Sequence, residues 1–176
     1  LEANGNLREN ILVPTEQFSN RLDYSYISGI KENTGKRKIE NVAEALFRGS
    51  LSSVQAKSAC IPVFHTTDFK DTYDYVPKRF HVSRKKSQGV DVRYAKMGDI
   101  LIARVGRNLS RKICMVKHSG FVAVSDCVLV LRVRNGVQKT LFDFLSSDSG
   151  RRQIKARAKG VSAQFITPQS LSELKF

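Results

Sequence analysis

The sequence predicts a single α+β domain: a twisted, largely antiparallel or mixed β-sheet core, with an early helix and late basic helices. Three observations carry this reading. Short apolar runs bounded by turn residues fill the stretch from 99 to 133. The apolar period switches to that of a helix from Lys139 onward. Strand-like and helix-like stretches are segregated rather than alternating, which argues against βαβ units. With 176 residues, 41% of them hydrophobic and 26% charged, the chain is long enough to bury a core without disulfide or metal staples.

The elements follow in order. Residues 1–21 are polar and weakly patterned, an irregular lead-in, and Tyr24, Tyr26, Ile27 and Ile30 form a short apolar patch. Ile39, Val42, Ala43, Leu46 and Phe47 recur at helical spacing, with Asn33 or Thr34 as initiator and Gly49 as stop. Ile61 to Thr67 reads as a short strand, with Thr67-Asp68 opening a turn. Arg84 to Gly89 is a basic turn. Asp99 to Val105 is the best single strand, followed by strands at Ile113–Val116, Phe121–Val124 and Cys127–Val133, the last two readable as one bent strand. Ser119-Gly120 is expected to make a hairpin between the first two of these, and Asn135-Gly136 to close the last. Leu141, Phe142, Phe144 and Leu145 make one amphipathic helical piece, and Ser147 or Asp148 caps a second that ends at Gly160. Phe165-Ile166 is a final strand, and Leu171 and Leu174 close the domain.

Charge narrows the function. Thirty Lys+Arg stand against 16 Asp+Glu, a formal net charge of +14, which favours polyanionic partners. No apolar run approaches the ~20 residues that span a bilayer, and the basic segments lack the apolar face of an interfacial helix, so no membrane role is expected. Cys60, Cys114 and Cys127 are widely spaced without a CxxC pair, which points to a reducing, cytoplasmic setting and away from a zinc site. His65, His81 and His118 are too scattered for a metal or a triad.

Three cationic clusters stand out: Lys78, Arg79, Arg84, Lys85 and Lys86; Arg104, Arg107, Arg111, Lys112 and Lys117; and Arg151, Arg152, Lys155, Arg157 and Lys159. With almost no acid between them, they predict a surface that tracks phosphates. Flexible lysines and helix-borne arginines suit phosphate contacts, whereas base reading needs planar or amide groups held on loops. Arg104 and Arg107 could pair bidentately with guanine, and Asn108, Gln88 or Gln164 with adenine. Ser87, Ser110, Ser162 and Thr66 are secondary donors. Asn108 and Gln164 could equally serve as loop caps.

Catalytic patterns are missing. Gly106-Arg107-Asn108-Leu109-Ser110 lacks the Lys-Ser/Thr ending of a P-loop, and there is no dinucleotide fingerprint or nucleophile elbow. Asp99 has no companion carboxylate from Ile100 to Leu109, so it reads as a turn residue rather than a metal ligand. A metal-dependent nuclease built on Asp99 is the competing reading.

The ordered set Gly98-Asp99-Ile100-Leu101-Ile102, Arg104-Val105-Gly106, Phe142 to Ser146, Ser149-Gly150-Arg151-Arg152-Gln153-Ile154, Gly160 to Ile166 and Leu171-Ser172-Glu173-Leu174 resembles the DNA target recognition domain of type I restriction-modification specificity subunits. Ile61-Pro62-Val63 with Thr67-Asp68 is similar to that family's strand ahead of its variable loop, so the resemblance spans about residues 48–176. It implies a non-catalytic module that reads one half-site of a bipartite double-stranded DNA target and needs no cofactor of its own. S-adenosylmethionine and ATP would belong to methyltransferase (M) and restriction-motor (R) partner subunits. A second recognition domain and a spacer helix beyond Phe176 are expected of the family, and the opening at Leu1 is that expected of an excised piece. The same module attached to a fused methyltransferase-nuclease is the nearest alternative. The family's base-contacting positions vary between members, so the base-reading candidates rest on loop placement alone.

Overall fold

The computed structural model describes residues 35–58, 63–69, 74–75 and 92–176. The lead-in, the patch from Tyr24 to Ile30, the basic turn 84–89 and the whole first cationic cluster lie outside the described residues.

At the centre are β1 (Ala43–Arg48), β9 (Val128–Val133), β5 (Ile100–Ala103), β7 (Ile113–Val116) and β3 (Asp74–Tyr75), in that order across a five-stranded sheet. All neighbours are antiparallel except β3, which runs parallel to β7. A second sheet, β2 (Val63–Phe64), β8 (Phe121–Val124) and β4 (Tyr94–Lys96), covers one face, and helices cover the other. That sandwich explains why β5 reads as an unbroken apolar run and β9 as one interrupted only at Arg132, since a strand covered on both faces has no solvent side. Ile100 and Ile102 meet Leu141, Leu145, Ile154 and Leu171 on the helical face. Leu101 meets Phe64, Val116, Val122, Val124 and Val130 on the other. The expected α+β layout with a mixed sheet is what the chain adopts.

The helices are α1 (Ser53–Ser58), α2 (Gln138–Ser146), α3 (Asp148–Arg157) and α4 (Pro168–Ser172). Ser147 caps α3 as its sequence position suggests, its hydroxyl accepting from Gly150 N. Gly150 has no room for a side chain, because a Cβ there would collide with Phe144 O and the Leu145 backbone, and this lets α2 and α3 approach closely. Leu171 and Leu174 are fully buried, and Leu174 O accepts from Ile39 N, tying the segment after α4 to the 3-10 turn ahead of β1.

Five expectations are corrected. The early helix is instead a 3-10 turn (Ile39–Asn41) followed by β1. A β-bulge between Ala43 and Ala45 inserts one residue, so Ala43 and Leu46 both face the helical core while Phe47 faces the other. An odd spacing on one face is what imitated a helix. The strand expected from Asp99 to Val105 breaks at Arg104, where β6 (Val105–Gly106) departs to a separate ribbon. Ser119-Gly120 does not make a paired hairpin, because β7 and β8 belong to different sheets. Likewise β8 and β9 are separate strands, joined by the turn at Ser125–Cys127. Finally, α3 stops at Arg157 with Ala158 as its cap, before Gly160 is reached.

Candidate nucleic-acid interface

Strand registers sort the connections into two ends. At one end lie Arg104 to Lys112, the turn Ser125–Cys127, residues 65–68 and the Gly49–Ser50 corner. At the other lie residues 97–99, 117–120 and 134–137. Lys117 therefore sits the length of β7, about 13 Å, from the rest of its sequence cluster. The structure does not bring it to the others.

The first end is built around a two-stranded antiparallel ribbon. β6 pairs with β10 (Gln164–Phe165) through Gly106↔Gln164 and Val105↔Phe165. Ile166 N donates to Arg104 O at 2.9 Å, locking the departing chain to the end of β5. Behind β10, Lys159 and Phe165 exchange reciprocal backbone bonds of 2.8 Å, so residues 160–164 form a tight loop. Gly160 holds φ +94, and a Cβ there would meet Ala163 O, so no other residue fits without strain. The Arg107-Asn108 turn and the Gly160–Gln164 loop, far apart in sequence, thus become neighbours.

Both turns carry polar side chains. Arg107 and Ser162 are exposed, Asn108 is exposed in the left-handed conformation (φ 55, ψ 35), and Gln164 is half-buried. Among the described residues, the side chains of these four make no hydrogen bond. Asn108 is therefore not a side-chain cap of the 3-10 turn Leu109–Arg111 that follows it. Leu109 is buried there and the turn packs on α3, leaving Arg111 exposed and Ser110 half-buried. On α3, Gln153, Ile154 and Ala156 are buried while Arg152 and Lys155 face solvent, with Lys159 exposed beyond its end. Arg151 and Arg157 are half-buried and have contacts within the protein. Lys155 and Arg157 also lie in the last turn, where cations complement the negative end of the helix.

Other candidates serve the scaffold of this end. Arg104 is half-buried and its Nε donates to Asp126 O at 2.7 Å. Lys112 Nζ donates to Thr66 O at 3.3 Å, and His65 Nδ1 lies 2.8 Å from Ser125 Oγ, so the 65–68 turn is fastened to the same end. Gln88, Ser87, Lys78, Arg79, Arg84, Lys85 and Lys86 lie outside the described residues.

Sequence reasoning missed Arg48 and Arg93. Both are exposed at this end, and Arg93 Nη1 donates to Arg48 O at 3.3 Å while its backbone N donates to Ser50 Oγ. Neither sits in a run of like charge, so nothing in the sequence marked them. Sequence reasoning read Asp99 as a turn residue but missed its partner, Arg132. Asp99 is 1% exposed, and its carboxylate accepts from Arg132 Nε (2.9 Å), Arg132 Nη2 (2.8 Å) and Lys96 N (2.9 Å). Those bonds raise the Arg132 pKa above its ordinary value against the opposing effect of burial. Both oxygens are engaged at the end away from the ribbon, so Asp99 acts as a turn anchor. Cys114 is buried, whereas Cys127 lies half-buried in a turn. Burial, with Asp126 beside it, pushes its thiol pKa up.

Among the described residues no helix is long and apolar enough to cross a membrane. No protein family and no curated protein matches the sequence. The fold is similar to that of a chain in a solved structure described as showing the basis of complex assembly and conformational transition of the type I R-M system. The likeness has a TM-score of 0.50 at 15% identity and covers 77% of this chain. This chain spans 31% of that one's length, so the likeness is to one part of a larger protein.

Proposed function

We propose that this chain is a sequence-reading DNA domain, the specificity module of a type I restriction-modification system that recognises one half-site of a bipartite target. The observation that carries the reading is the β6–β10 ribbon, which joins two turns whose polar side chains make no hydrogen bond among the described residues. A two-stranded ribbon fits the major groove, where arginine and amide groups distinguish base pairs. Arg107, Asn108, Ser162 and Gln164 read base edges in this proposal. Arg111, Arg152, Lys155 and Lys159 grip phosphates, joined by Arg48 and Arg93 along the same end. The likeness to part of a chain from a type I R-M complex fits a module that works with partner subunits. Methylation and cleavage, with S-adenosylmethionine and ATP, belong to those partners, and the module itself is not catalytic.

The division of labour gives the test. Selection from a randomised duplex library by the intact subunit should enrich a gapped, two-part site. Arg107→Ala should relax preference at one position by about 5- to 150-fold, the worth of a bidentate base contact. Lys155→Ala should weaken all duplexes alike and lower the salt slope by about one. Equal effects of the two substitutions on every duplex would remove the assignment of Arg107, and an ungapped site would remove the bipartite role.

A further inference from the structure

Residues Lys159 to Ala163 are five consecutive exposed positions at the apex of the ribbon, and Val161 among them is 99% exposed. Turn tips ordinarily carry glycine, asparagine, aspartate or serine, whose chemistry suits the bend. A valine in full solvent contributes nothing to this bend or to the core. The loop also holds it firmly, through the reciprocal Lys159–Phe165 bonds below and the close approach of Gly160 to Ala163 O. Its neighbours Ser162 and Ala163 are small, so the tip is narrow. The same loop begins at the exposed Lys159, and Arg107 and Asn108 follow β6 on the other side of the ribbon.

An apolar point on a loop beside cationic and polar residues calls for an anionic partner that displays one small apolar group. The floor of the major groove does so at thymine, whose C5-methyl projects among hydrogen-bonding edges. We infer that Val161 reads the C5-methyl of a thymine, adding a specificity element to the arginine and amide contacts. The inference rests on the DNA-reading function proposed above. A wedge between minor-groove base steps is the weaker fit, since such wedges are longer or bulkier side chains such as phenylalanine, leucine or methionine. A protein-docking role is also disfavoured, because a single exposed valine falls far short of an apolar interface patch.

The experiment takes the duplex enriched from the randomised library by the full chain and replaces each thymine in turn with deoxyuridine, which deletes only the methyl. One replacement should weaken the parent protein about fourfold, the worth of one buried methyl group. Val161→Ser should be indifferent to that replacement, and Val161→Ile should remain sensitive. Equal sensitivity of the parent and Val161→Ser, or an enriched site without thymine, overturns the inference and leaves DNA reading intact. So does a drop in melting temperature for Val161→Ser, which would reveal a structural role. A library from which nothing is enriched removes the DNA-reading function and this contact together.

Discussion

The residue that most shapes the far end of the sheet is Asp99, a buried carboxylate with three donors. Removing one member of such a pair strands the other, which costs more than the intact pair contributes. Arg132 keeps about a quarter of its side chain in solvent, which softens that cost. Asp99→Asn is therefore expected to lower stability by about 2–3 kcal/mol, read from the urea midpoint at unchanged slope. A loss below about 0.5 kcal/mol would place the pair with ordinary surface ion pairs. The sign of the pH effect follows from the raised Arg132 pKa. A raised folded-state value gives stability that is present below the ordinary arginine range and lost only as pH rises through the folded value. The guanidinium therefore adds no pH dependence near neutrality. Asp99 was legible as a turn residue, but its partner lies 33 positions away on β9, and no local pattern reports such a pairing.

At the level of elements, the late helices were readable because their signals are local. The Ser147 hydroxyl, the apolar stripe of Leu141 and Leu145 and the Ile154 anchor all fall within a few residues of one another. Gly150 tests how closely these helices pack. Gly150→Ala should destabilise by about 1–3 kcal/mol through overpacking against Phe144 O, in contrast to the gain alanine usually brings to a helix. A thermal midpoint equal to or above the parent's would show that α2 and α3 can separate at little cost. β1 was misread for the opposite reason. Its bulge is a property of pairing with β9, so the parity change that placed Ala43 and Leu46 on one face had no local signature. The same holds for β8, whose apolar run is compatible with either sheet until its partners β2 and β4 are known.

Across the whole molecule, the positive charge of +14 is uneven in its use. Lys117 is carried to the far end, while the exposed Arg107, Arg111, Arg152, Lys155 and Lys159 belong to the ribbon and the elements packed beside it. If the six proposed phosphate contacts, Arg48, Arg93, Arg111, Arg152, Lys155 and Lys159, each displace a counterion on binding duplex DNA, log affinity should fall with log salt at a slope of about −5.4. Affinity would then drop about 2,000-fold between 50 and 200 mM salt, measurable by fluorescence anisotropy on a fixed duplex. A slope shallower than about −2 would mean that the cations do not lie along one duplex track.

Composition, local period and capping chemistry were enough to establish the α+β class, the strand-rich centre and the capped basic helix. Each depends on neighbours in sequence or on sums over it. Tertiary structure alone decided that β6 leaves the main sheet to meet β10, that Asp99 is held by Arg132, and that Arg48 and Arg93 join the same end as Arg107. These are pairings between distant segments, chosen by competition among many apolar strands for partners. Their energy resides in the contact rather than in either segment, so neither segment announces it.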